Sequence, residues 1–197
     1  PRFTFRANDP NYPVTFLTML SASIIASSLA SRVRAQARMA AQKSYYTELL
    51  LESNQKLQQG RTEWDCLRLT AEQLSRLFDR PILYALSKSG QDLSFRAEPS
   101  DAQEVLAQLG TEEMGVAKWV QANNKYAGAT TSTLPDSKWF FLSVRGTQGV
   151  MGIVAVPVAG YSIPDAFEKN LLIAILNECG LSQERIRLQE ERGKEMP

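Results

Sequence analysis

The residues in this chain that could do chemistry are few, and their spacing works against catalysis. The sequence holds no histidine, which removes a histidine phosphoacceptor, the commonest general base and the commonest metal ligand at one stroke. Cys66 and Cys179 fall in separate helical patterns far apart in the chain. They suit a reducing compartment and read as buried small hydrophobes rather than as the thiol cluster a redox enzyme needs. Glu112 and Glu113 are paired carboxylates, but they sit where a helix should start and are expected to face solvent. Gly146 and Gly149 flank a turn and are expected to serve only that turn. There is no phosphate-cradling glycine loop, no metal-spaced Cys/His set and no nucleophile–base–acid trio. We therefore expect no catalytic residue, no metal and no cofactor in this stretch.

Lys and Arg total 22 against 21 Asp and Glu, a formal net charge of +1. A nucleic-acid binder needs a basic excess gathered on one face, so no nucleic-acid partner is expected. The 197 residues allow one domain with appendages. The chain opens on Pro1 rather than Met, so a piece of a longer protein is expected.

The elements that would position any site centre on Thr111 to Pro157. Thr111 is a candidate N-cap, with Glu112 and Glu113 in the first helical turn. Met114, Ala117 and Val120 form an apolar stripe that Trp119 widens, and Ala127-Gly128 is expected to end the helical pattern. After a Thr-rich turn, Trp139 to Val144 and Val150 to Val156 have strand composition, joined through Arg145 to Gly149. Upstream, Trp64, Leu67, Ala71, Leu74 and Phe78 space as an amphipathic helix. Ile82–Ser87 and Leu93–Ala97 read as strands joined through Lys88-Ser89-Gly90. Val105, Leu106 and Leu109 belong to a short helix. Phe167, Leu171, Leu172, Ile175, Leu176 and Cys179 mark the inner stripe of a last helix whose pattern thins beyond Leu181. The fold class is α+β, an antiparallel sheet flanked by helices.

Before this core, Pro10 to Ser31 carries no charge, and Tyr12 to Ala30 supplies about the 20 residues a membrane span needs. Arg32, Arg34 and Arg38 follow, which by the positive-inside rule puts what comes after in the cytoplasm. Arg32 to Gln59 contains no helix breaker, and the repeats Leu50/Leu57 and Met39/Tyr46 suggest a dimeric seam.

Several motifs carry a resemblance. Ala117-Lys118-Trp119-Val120, then Asn124 to Gly128, then Thr131-Ser132-Thr133-Leu134-Pro135 resemble the GAF domain of Kdp-type potassium-sensor histidine kinases. That family reads Thr-Asp-Thr-Leu-Pro at the last motif, so Ser132 departs from it. Pro1-Arg2-Phe3-Thr4-Phe5, with Asp9, Tyr12, Thr15 and Phe16, resembles the family's entry to its last membrane span.

The resemblance implies a GAF-like sheet and a division of the chain. It gives a loop over 1–10, a last transmembrane helix over 11–31, and a juxtamembrane linker helix over 32–60. A GAF sensor core over 61–161 and a helix over 162–197 leading toward a kinase complete it. It implies a bacterial inner-membrane protein with residues 32–197 in the cytoplasm, dimeric through its flanking helices. The kinase core of the same chain and a cytoplasmic response regulator would be its partners. The parent would be a phosphotransferase answering potassium limitation or turgor, while this stretch would not be an enzyme. GAF folds hold small ligands between sheet and covering helix, so the resemblance also implies an alternative, a pocket for a cytosolic effector under residues 119–133. There Trp119 would offer a stacking face and Asn123, Thr131 and Thr133 hydrogen bonds, with Tyr84 and Arg96 on opposing strands.

Overall fold

The computed structural model describes residues 12–88, 92–147 and 149–195. The Pro1–Phe5 motif and Asp9, the Ser89-Gly90 turn, and the side chains of Arg38, Met39 and Tyr46 lie outside the described residues.

Helix α1 runs from Tyr12 to Leu57 without a glycine or an internal proline beyond its first turn. Its contacts divide the chain into two units, Pro1–Glu48 and Leu49–Pro197. In the first unit, Val14–Ala37 is long and apolar enough to cross a membrane, the single such stretch among the described residues. Val14, Phe16, Leu17, Ile24 and Ile25 are all exposed. Three of the hydroxyls that interrupt this stretch are satisfied on the helix itself: Thr18 Oγ1 donates to Thr15 O and Ser21 Oγ to Thr18 O, both at 2.9 Å, and Ser23 Oγ to Met19 O at 2.8 Å. Back-bonding of this kind lets Ser and Thr sit in an apolar medium without orphaned donors.

The second unit is built on an antiparallel five-stranded sheet in the order β2-β1-β5-β4-β3. Its strands are β1 (Ile82–Leu86), β2 (Phe95–Glu98), β3 (Ala127–Gly128), β4 (Trp139–Gly146) and β5 (Gly149–Pro157). β4 and β5 are hairpin neighbours, with Phe141 opposite Ala155 and a register shift between Val144 and Arg145. Leu83, Ala85, Phe95, Ala97, Trp139, Phe141, Ile153 and Ala155 point to one face and form a closed core with Val116, Ala117 and Val120. Those last three belong to α4 (Thr111–Asn123), which follows the short α3 (Gln103–Ala107). Helices α2 (Glu63–Phe78) and α5 (Ala166–Glu195) supply the other layer, with Leu67, Leu74, Leu171, Leu172, Ile175 and Leu176 buried.

α2 starts where its sequence says it should. Thr62 Oγ1 accepts from Asp65 N and Asp65 Oδ2 accepts from Thr62 N, both at 3.1 Å, a reciprocal capping box. The Thr62 hydrogen bond, more than any other cause, holds the Asp65 carboxyl below its ordinary value.

Three local expectations are corrected. The N-cap of α4 is Gly110, without a side-chain cap, and Thr111 is already helical. The helix ends at Asn124 in the left-handed conformation, and Ala127-Gly128 is not its tail but the edge strand β3. Gly128 is required there twice over. Its φ is +97°, and a Cβ on it would lie 2.2 Å from Trp139 O. Finally, α5 stays in the core beyond Leu181, since Gln183 and Ile186 are buried.

Candidate functional site

The six residues expected to line a pocket do not converge. Tyr84 and Arg96 are cross-strand partners on β1 and β2, and both point to the α2 face, away from α4. There the Arg96 guanidinium lies 4.0 Å from the centroid of the Trp64 ring, and Trp64 packs edge-on to Tyr84 at 6.2 Å. Burial pushes the Tyr84 hydroxyl upward. This stack joins the start of α2 to the edge of the sheet. It leaves Tyr84 and Arg96 no part in a pocket under residues 119–133.

Trp119 and Asn123 stand one turn apart on α4, and Asn123 Nδ2 donates to Trp119 O at 2.9 Å. Trp119 is half-buried and packs at the margin of the α4-facing core rather than plugging it. The space below α4 is taken by Phe95, Trp139 and Phe141, with Phe95 and Phe141 edge-to-face at 6.4 Å.

Thr131 has its hydrogen bonds filled locally. Its Oγ1 donates to Gly128 O at 2.7 Å or Thr133 O at 2.8 Å and accepts from Thr133 N at 3.1 Å. The Thr131–Pro135 motif thus folds on itself. It does so at a backbone cost, because Thr130 and Leu134 both have positive φ, 67° and 56°, values rare for β-branched or bulky residues. Lys169 Nζ, in the first turns of α5, donates to Thr130 O at 3.4 Å.

One residue in this region departs from its expected exposure. Glu113 does not simply face solvent: its Oε2 accepts from Ser137 Oγ at 2.5 Å and its Oε1 from Lys138 N at 3.1 Å. It ties the strand-entry loop to α4. The sequence held no sign of this, because the partners lie more than 20 residues away in a loop without periodicity.

The two thiols are wholly buried and lie on facing helices. Burial pushes Cys66 up to about 11 and Cys179 up to about 12, so neither is a thiolate at neutral pH. A cleft of about 560 Å³ opens between the end of β1, the β4–β5 hairpin and the distal part of α5, where Ser87, Lys88, Met151, Glu184 and Leu188 line it. None of the six expected ligand residues borders it. Among the described residues no cluster of Cys, Asp or Glu could hold a metal ion.

A helix-flanked antiparallel sheet with this strand order is a GAF-like fold. It is similar to the native GAF domain of the potassium sensor histidine kinase KdpD from Escherichia coli, with a TM-score of 0.59 at 19% identity, covering 74% of this chain and 98% of that one. It is also similar to the GAF domain of an Acinetobacter phosphoenolpyruvate-protein phosphotransferase, with a TM-score of 0.51 at 13% identity over 72% of this chain and 94% of that one. In sequence, the chain resembles the Kdp-type sensor proteins over most of its length. It is 22% identical over 198 aligned residues to the sensor protein KdpD of Clostridium acetobutylicum, covering 98% of this chain and 22% of the relative. It is 26% identical to the sensor protein KdpD of Escherichia coli K12, covering 79% of this chain and 17% of that protein. The chain thus spans about a fifth of the length of the curated relatives it matches. Residues 1–43 match the family model "Domain of unknown function (DUF4118)".

Proposed function

We propose that this chain is the signal-transmitting GAF region of a membrane sensor histidine kinase of Kdp type. It would pass a change at the membrane to a kinase core further along the same protein. The observation that carries this is collinearity: an apolar helix, then a GAF-like core, in one order over 98% of the chain with a sensor protein. In this reading residues 11–31 cross the bacterial inner membrane, residues 32–197 are cytoplasmic, and potassium limitation or turgor is the signal. A cytoplasmic response regulator receives the phosphoryl group downstream. The chain has no histidine and so offers no histidyl phosphoacceptor; in this reading its contribution is mechanical.

The same reading makes the protein a parallel homodimer through its flanking helices. Leu51, Leu181 and Leu188 are exposed apolar residues on α1 and α5 that a partner helix would cover. A core cut to residues 53–187 with Leu181→Ser, which keeps the buried Ser53, Leu57, Gln183 and Ile186, should then run as a monomer in analytical ultracentrifugation. A dimer at micromolar concentration would place the interface on the sheet or its covering helices.

The functional reading is tested by phosphoryl transfer. The purified chain with magnesium and γ-labelled ATP should take no acid-labile label. A whole sensor carrying it should label in a potassium-dependent way, and deleting residues 61–161 should abolish that dependence without abolishing labelling. Dependence that survives the deletion would sink the proposal. A ligand-dependent melting shift lost in Trp119→Ala would instead favour an effector pocket beside α4.

A further inference from the structure

From its middle onward, α5 is fastened to the rest of the core by three residues, Gly180, Gln183 and Glu184, within little more than one helical turn. Gly180 brings the helix against strand β4: a Cβ there would lie 1.9 Å from Arg145 O and 2.6 Å from Arg145 C. Only glycine permits so close a backbone approach. Arg145 is also where the register shifts between β4 and β5, and bulges of this kind re-aim the strand that carries them. Glu184 then accepts from Thr147 N at 3.2 Å and from the Thr147 hydroxyl, gripping the hairpin turn. Between them, Gln183 Nε2 donates to Glu63 O at 3.0 Å. Glu63 is the first residue of α2, and the chain reaches it from the end of α1 through a short turn.

The two anchors belong to different parts of the fold, one to the sheet hairpin and one to the point where the chain arrives from α1. Past Ile186, the remaining α5 residues whose exposure is described, 187–192, are exposed. The fastening therefore sits where the exit helix leaves the core. It is also imperfectly satisfied. Gln183 is completely buried yet its Oε1 has no partner. Buried polar atoms left unpaired cost free energy that a modest rearrangement could recover, which suits a joint with a second setting.

We propose that Gly180, Gln183 and Glu184 form a single two-setting clamp that locks the exit helix α5 to the β4–β5 hairpin and to the start of α2. It is the joint at which displacement of the entry helix is delivered to the exit helix. This rests on the transmission reading above and names the contacts that would carry it. Because the two anchors leave adjacent residues of one helical turn, they open together.

The test is amide hydrogen exchange on the intact 197-residue chain in nanodiscs, with Thr147→Val, Gln183→Leu and the double variant. Thr147 touches the hairpin side alone. Thr147→Val is nonetheless expected to speed exchange about tenfold in the first turn of α2 as well as beyond Glu184 in α5. The double variant should exchange no faster than either single one, the non-additivity expected of one cooperative element. Loosening confined to the hairpin, with the effects of the two substitutions simply adding, would overturn the clamp. Should Gln183→Leu fail to fold, the near-isosteric Gln183→Met, which likewise cannot donate to Glu63 O, replaces it. The readout uses neither ATP nor potassium, so it stands or falls separately from the sensor assignment.

Discussion

Arg80 reaches from the end of α2 to the start of α5 and donates from Nη1 to Ser162 O and from Nη2 to Ser162 Oγ, both at 3.1 Å. It is only 6% exposed, and its guanidinium also lies 5.3 Å from the centroid of the Tyr161 ring. Its Nε donates to Phe78 O at 3.3 Å, so all the partners identified for it are neutral oxygens or an aromatic face. With Gln183 at the opposite end of α2, this pins the α2–α5 pair at both ends.

Arg80→Ala should lower the urea unfolding free energy by about 2–4 kcal/mol, because the buried Pro157 carbonyl, 3.4 Å from Nη1, and the Phe78 and Ser162 carbonyls lose a charged donor together. Arg80→Lys should recover less than half of the loss. An ammonium is a point donor and cannot span the carbonyls that the planar guanidinium bridges. Equal stability of the Lys variant and the unsubstituted chain would show that charge, not the fork, is what matters.

Gly128→Ala is expected to cost about 1–3 kcal/mol, from the left-handed backbone and the forced displacement of β4. The damage should be local at first. Ala129 N donates to Trp139 O at 2.8 Å and Gly128 N to Thr133 O at 2.8 Å, so these two amides should lose exchange protection before the central strands do.

Glu113→Ala should release the loop before β4 and cost about 1.5–3 kcal/mol, since a charged acceptor of two hydrogen bonds is lost. Glu113→Gln keeps one acceptor oxygen and should retain part of that stability. The Lys138 amide reports the outcome by exchange. Unchanged protection in Glu113→Ala would mean that solvent replaces the carboxylate at no cost.

The thiols predict a loss of stability in alkali. Burial raises both above the unfolded value of 9.0, to about 11 for Cys66 and about 12 for Cys179. The unfolded chain therefore releases these protons first. The contribution is fully present below pH 9.0 and falls as pH rises from there through the folded values. Near pH 10 the loss should be about 1 kcal/mol for each thiol. Urea midpoints between pH 8 and pH 10 measure it, and Cys179→Ala should flatten the slope even though it lowers stability at pH 8.

Much of the architecture was legible because its elements follow one period each. Trp139 to Val144 and Val150 to Val156 are rich in branched and aromatic residues and pair as neighbours. β3 was not legible, since two residues have no periodicity and the strand exists only through Gly128. The face assignment failed at Tyr84 for a different reason. Every residue of β1 is buried, so hydropathy carries no parity there. A signal did exist on β2, where Arg96 stands between buried Phe95 and Ala97 and so must point away from their face. The core on α5 reaches further than hydropathy indicates, because Gln183, Glu184 and Arg185 read as solvent-facing whereas Gln183 is buried on a backbone carbonyl.

The two outermost strands are short, four residues in β2 and two in β3, and the first carries Arg96 and Glu98. Open strand edges are templates on which a neighbouring chain can add its own strands, and truncation and charge are the usual defences. Copies of this core held at high local concentration therefore have little backbone with which to zip sheet to sheet into fibres. Either edge offers an approaching second copy too few free backbone groups to extend the sheet.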